Sequence, residues 1–130
     1  MVPEHTKVLV IDDNEDILYM LKAMLQMKNF DVTIKQNVDN LEEELTSIQP
    51  SVILMDMLLS GADGREVCKG LKDSEEFADI PIIMISAHSH ARNECLQAGA
   101  NQFLAKPFDM QDIFKAVDVA LTGDENNSHN

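Results

Sequence analysis

Ser51-Val52-Ile53-Leu54-Met55-Asp56 is a short apolar run that ends in a carboxylate. Pro50 precedes it, Ser60-Gly61 follows it, and within it polar and apolar residues do not alternate. Such a run reads as a strand buried on both faces, the kind found in the middle of a parallel sheet. Its last residue then projects from the carboxyl edge, where open α/β sheets bind ligands at the point where the strand order reverses. Asp56 is therefore the candidate working group.

Working outward, the same pattern recurs. Lys7-Val8-Leu9-Val10-Ile11 is a second continuous apolar run, and it too ends in acid, Asp12-Asp13. Ile80-Pro81-Ile82-Ile83-Met84-Ile85 is a third and delivers Ser86 to the same edge. Asn101-Gln102-Phe103-Leu104-Ala105-Lys106 is a short last strand that carries a cation there and stops at Pro107. Asp31-Val32-Thr33-Ile34-Lys35 alternates, which suits an edge strand.

Helical spacing fills the intervals. Ile17, Met20, Leu21, Met24, Leu25 and Met27 form one stripe, with Asp13 or Asn14 as cap. Val38, Leu41, Leu45 and Ile48 point inward on a second helix, with Glu42, Glu43 and Glu44 outward. Gly61 and Gly64 lie in the loop after Asp56 and allow backbone angles that other residues resist. A short helix through Val67, Cys68 and Leu71 starts near Gly64. His88 to Ala98 is a weakly amphipathic helix ended by Gly99, expected to pack loosely and move easily. The last helix is capped by Asp109 with Asp112 three residues on, and buries Ile113, Phe114, Val117, Ala120 and Leu121. Strand and helix thus alternate five times through short connections. This predicts an α/β fold, a doubly wound five-stranded parallel sheet with helices on both faces.

Composition narrows the function classes. A length of 130 residues with 45% apolar content is enough for one core, and one domain is expected. A net charge of -13 argues against docking on a phosphate backbone, so no direct nucleic-acid contact is expected. No apolar run approaches the roughly 20 residues of a membrane span, and Met1-Val2-Pro3-Glu4-His5 lacks the basic and apolar segments of a signal peptide. A soluble, cytoplasmic protein is expected, with no membrane insertion. Cys68 and Cys95 then read as small core residues of a reducing compartment rather than a disulfide.

If the three central strands are neighbours, Asp12, Asp13 and Asp56 converge, with Ser86 and Lys106 close by. Three carboxylates in so small a volume raise one another's pKa unless a cation joins them. All-oxygen ligation favours a hard ion such as Mg2+, which keeps waters and accepts a phosphate oxygen. Phosphoryl transfer needs a nucleophile, a metal and further groups that match the charge on the migrating group. Asp56, the ion, Lys106 and Ser86 fill those roles, and carboxylate attack on phosphorus gives an acyl phosphate.

Asp12-Asp13, Asp56, Ser86-Ala87 and Lys106-Pro107, with Asp56-Met57-Leu58-Leu59-Ser60-Gly61-Ala62-Asp63-Gly64-Arg65-Glu66 between them, resemble the receiver domain of two-component response regulators. The resemblance covers residues 6–121, leaving residues 1–5 as an extension and 122–130 as a polar, disordered tail. It implies a flavodoxin-like (βα)5 fold of strand order 2-1-3-4-5. It also implies that Asp56 accepts a phosphoryl group from a phosphohistidine on a histidine kinase or a histidine phosphotransfer protein. By the same resemblance Asp13, Asp56 and the Leu58 backbone carbonyl hold Mg2+, Asp12 acts through water, and Ser86 and Lys106 bind the phosphoryl oxygens. The Lys106-Pro107 peptide is implied to be cis. Phosphorylation would draw the Ser86 hydroxyl inward, let Phe103 enter the vacated space, and reshape the face of the fourth helix, fifth strand and fifth helix that a downstream protein reads.

The implied protein is a signalling switch and not an enzyme, since it catalyses only its own phosphorylation and dephosphorylation. With no second domain in the sequence, a stand-alone, chemotaxis-type receiver or a phosphorelay shuttle is expected, or else the receiver portion of a longer protein. Four positions stand out against the commonest pattern of such domains. Ser60 stands where proline is usual, Phe103 lacks the hydroxyl of tyrosine, and Leu58 and His88 occupy positions that tune acyl phosphate hydrolysis. Other classes fit less well. A small-molecule aspartyl phosphatase would want an acid where Leu58 stands, and a calcium loop would want glycine at Ile17 and glutamate at Ala23. His88-Ser89-His90 lacks further metal ligands, and Ser86 lacks a nucleophile elbow. An interaction module on the same fold that no longer takes phosphate is the remaining alternative, and the presence of Asp56 and Lys106 speaks against it.

Overall fold

The apolar runs pair into one parallel sheet. The computed structural model describes residues 5–123. Its strands are β1 (Lys7–Ile11), β2 (Asp31–Lys35), β3 (Val52–Asp56), β4 (Ile82–Ser86) and β5 (Gln102–Ala105). The helices between and after them are α1 (Glu15–Gln26), α2 (Leu41–Ile48), α3 (Gly64–Lys72), α4 (Arg92–Gln97) and α5 (Met110–Thr122). In space the strands run 2-1-3-4-5, all parallel, so the order reverses beside β1 and β3. This is the doubly wound, flavodoxin-like arrangement expected from the sequence.

Side chains of a strand point alternately to its two faces, and each face carries its own core. Leu9, Ile11, Ile53, Met55, Ile82 and Met84 meet Leu41, Leu45, Cys68, Leu71 and Cys95 from α2, α3 and α4. Val8, Val10, Val52, Leu54, Ile83 and Ile85 meet Leu18, Leu21, Leu25, Ile113 and Val117 from α1 and α5. Both faces are covered, which is why the central strands read as continuous apolar runs. Each such aliphatic side chain contributes about 1.5–3 kcal/mol by leaving water. Cys68 and Cys95 are free thiols in the first of these cores, and burial pushes Cys68 up to about 11.

Several local expectations are corrected. Leu18, Leu21 and Leu25 form the buried stripe of α1, while Met20 and Met27 are exposed. At about 100° per residue, positions two and nine beyond Leu18 fall on the opposite side of the helix. α2 begins at Leu41, after Asn40 in a left-handed conformation, so Val38 packs from the preceding loop. Glu44 is not simply solvated, for it reaches back to pair with Lys35 at the end of β2. The segment after β4 is a 3-10 turn, Ser89–Ala91, leading into the short α4, and only Ala91 and Cys95 of it are buried. In α5, Ala116 is buried, whereas Phe114, Ala120 and Leu121 are half-buried.

The ends of the fold are well capped. Asn14 accepts from the N–H groups of Asp16 and Ile17, and Asp109 and Asp112 form the reciprocal capping box. α5 takes in Thr122, the first residue of the expected tail, and closes on Gly123 at φ +70°. Residues 124–130 of that tail and 1–4 of the expected extension lie outside the described residues. No helix among the described residues is long and apolar enough to cross a membrane.

Candidate functional site

The switch point of the sheet brings the predicted acids together. β1 ends at Ile11, opposite Met55 of β3, so Asp12 and Asp56 leave the sheet side by side. Carboxylate oxygens of Asp12, Asp13 and Asp56 all lie within 4.8 Å of one another. Among the described residues no other three His, Cys, Asp or Glu side chains converge in this way. His88 and His90 are both exposed.

Each acid is held differently. Asp12 is buried, its N–H donates to the Lys35 carbonyl at 3.1 Å, and its Oδ1 accepts from the Asn14 N–H at 2.9 Å. This turn is what launches α1 directly from the site. Asp13 is exposed, and its Oδ2 accepts from the Ser60 hydroxyl at 2.8 Å. Asp56 is partly buried at the end of β3, and Met57 N–H continues the pairing to Ile85 at 2.8 Å.

Lys106 arrives from the neighbouring strands. Its backbone N–H donates to the Ser86 carbonyl at 2.8 Å, and the following peptide to Pro107 is cis, as the resemblance implies. Its Nζ lies 3.5 Å from Asp12 Oδ2 and 3.5 Å from Asp56 Oδ2. Ser86 is buried, and its Oγ accepts from the His88 N–H at 2.9 Å. Phe103, paired in register with Met84, is half-buried against the core beneath α3 and α4.

The loop after β3 is more ordered than the sequence suggests. Leu58–Leu59 pairs antiparallel with Ala62–Asp63, turned at Ser60-Gly61, where Gly61 has φ +76°. The Leu58 side chain is exposed on the lip of the site. Gly64 is required for a reason other than backbone angle: a Cβ there would lie 2.5 Å from the Asp56 carbonyl oxygen and 2.9 Å from that of Met57. The start of α3 thus presses directly on the backbone of the Asp56 segment.

A feature not anticipated from sequence borders this loop. Arg65 pairs with Asp63, the α3 cap, at 2.7 Å and reaches Glu94 on α4, so α3 and α4 are bridged beside the site. The guanidinium holds the Asp63 carboxyl below the usual range. The Asp63-x-Arg65 spacing hints at the first pair, but nothing near Arg65 in the chain points to Glu94.

The electrostatics favour a cation. Burial raises the Asp56 pKa, and the Asp12 charge raises it further, against the lowering effects of Lys106 and the Leu58 N–H. One lysine opposite three acids leaves excess negative charge in a partly desolvated pocket. The donors are all carboxylate oxygen, the set preferred by a hard divalent ion such as Mg2+. The residues present therefore fit that ion.

Comparison with known proteins agrees with this geometry. A family model described as the response regulator receiver domain matches residues 8–118. The nisin biosynthesis regulatory protein NisR of Lactococcus lactis subsp. lactis is 30% identical over 126 residues, covering 95% of this chain and 53% of that protein. The chain spans about half the length of the curated relatives it matches. A putative response regulator from Chloroflexus aurantiacus J-10-fl superposes with a TM-score of 0.85 at 27% identity, over 92% of this chain and 98% of that one. The receiver domain of sensor histidine kinase PA1611 from Pseudomonas aeruginosa PAO1 superposes at 0.79 with 27% identity, over 89% and 97%. That structure carries a magnesium ion coordinated in its active site cleft.

Proposed function

The chain belongs to the response regulator receiver domain family, and from that premise we propose that Asp56 is its phosphoacceptor, charged by a phosphohistidine on a histidine kinase or phosphotransfer protein. The observation that carries this reading is the convergence of Asp12, Asp13 and Asp56, with Lys106 at 3.5 Å from two of them. One Asp56 oxygen forms a bond to phosphorus as the P–N bond of the donor breaks, and the electron pair leaves with the imidazole nitrogen, which takes up a proton. The Lys106 ammonium and the Ser86 hydroxyl bind the phosphoryl oxygens where charge accumulates. Asp13, Asp56 and the Leu58 carbonyl would hold a hard divalent ion, Mg2+, with Asp12 acting through water, and the bound ion would supply positive charge against the migrating group.

Switching follows from the new dianion. To reach it the Ser86 hydroxyl turns away from the His88 N–H, and Phe103 moves into the space released. Phe103 lies on β5, so the face of α4, β5 and α5 changes shape, and a downstream protein reads that face. The exposed side chains of Leu58 and His88 set the access of water to the acyl phosphate. The domain acts on no other substrate, works in the cytoplasm and makes no direct contact with nucleic acid, in line with its charge of -13.

The test is incubation with acetyl phosphate and Mg2+ followed by intact mass measurement. Gain of one hydroxylamine-labile phosphoryl group is expected, and none with Asp56→Asn or without metal. No gain under any condition overturns the reading in favour of a receiver fold that binds partners without phosphate.

A further inference from the structure

Ser60 is the turn residue of the ribbon formed by Leu58–Leu59 and Ala62–Asp63, yet its hydroxyl is directed at the site. Its Oγ lies 2.8 Å from Asp13 Oδ2, across 47 positions of sequence. An ionised carboxylate only accepts, so the serine hydroxyl is the donor. We propose that Ser60 is a positioning residue that orients the Asp13 carboxylate for the divalent cation, an inference that rests on the reading above.

Three features support the role. Asp13 is exposed, so packing does not hold its side chain, whereas the buried Asp12 is fixed by the Asn14 N–H. Ser60 is delivered from the turn of a paired ribbon, whose two rungs are Leu59 with Ala62 and Leu58 with Asp63. A single hydroxyl donor uses one lone pair of Oδ2 and leaves Oδ1 whole, so orientation does not compete with ligation. Ordering a free carboxylate costs entropy on cation binding, and a hydrogen bond made beforehand removes part of that cost. A proline at position 60 would stiffen the same turn but could make no such bond.

Isothermal titration of the full chain with Mg2+ at fixed ionic strength tests this. Partners that orient metal ligands typically change affinity by about 10–100-fold, and an exposed one belongs at the low end. Ser60→Ala is therefore expected to weaken Mg2+ binding about tenfold, Ser60→Thr to restore it, and Ser60→Pro to show the same loss as alanine. Equal affinity of wild type and Ser60→Ala, or recovery by proline, overturns the role of the hydroxyl while leaving the receiver reading in place. Absence of Mg2+ binding by the wild type overturns both.

Discussion

The Lys106 ammonium stands 3.5 Å from Asp56, the same distance that separates it from Asp12. One cation thus offsets two carboxylates of low exposure. Removing it leaves two desolvated negative charges facing each other. Lys106→Met should cost about 1–2 kcal/mol in urea unfolding at neutral pH, between the values for exposed and buried pairs. The loss should shrink in acid, where the carboxylates are neutral.

Asp56 contributes the opposite sign. Burial and Asp12 raise its pKa in the folded state, so the fold binds this proton more tightly than the unfolded chain. Stability from this group is fully present below the unfolded value and is lost as pH rises through the folded one. In metal-free buffer at neutral pH, Asp56→Asn should therefore unfold at higher temperature than wild type, with the gap closing in acid. Calorimetry across pH checks this, and addition of Mg2+ should stabilise only the wild type appreciably.

Two glycines of α3 separate close approach from helix propensity. A Cβ at Gly64 would meet backbone oxygen at 2.5 Å, and backbone cannot yield as a flexible side chain does. Gly64→Ala should destabilise by about 2–3 kcal/mol. Gly70 has nothing within 4 Å of the same atom, so Gly70→Ala should stabilise by about 0.5–1 kcal/mol. Chemical denaturation of the two variants side by side reads the difference.

A beryllofluoride complex mimics the phosphorylated carboxylate. In its crystal structure the Ser86 hydroxyl should have left the His88 N–H and the Phe103 ring should lie further inward. A Phe103 ring in its present half-buried position would remove the basis for output through α4, β5 and α5.

The sheet and the site were legible in the sequence because the same residues write both. Val8–Ile11 and Val52–Met55 are apolar on both faces and end in acid, so a strand, its central place and its acidic end are read together. Lys106 and Ser86 followed from strand ends in the same way. In α1 the expected stripe includes the buried Leu21 and Leu25 but takes in Met20 and Met27 and passes over Leu18, because methionines at helical spacing blur the phase that Leu18, Leu21 and Leu25 set. Contacts between elements distant in sequence left no local trace. Ser60 with Asp13 and Arg65 with Glu94 join residues 47 and 29 positions apart, and neither spacing carries a periodic signal.

The most direct measurement locates the phosphoryl group. Borohydride reduces an acyl phosphate of aspartate to homoserine, so protein treated with acetyl phosphate and Mg2+ can be reduced, digested and sequenced by mass spectrometry. Homoserine at position 56 alone is the expected result. Homoserine at Asp12 or Asp13, or aspartate retained at all three positions despite phosphorylation of the protein, would contradict Asp56 as the acceptor.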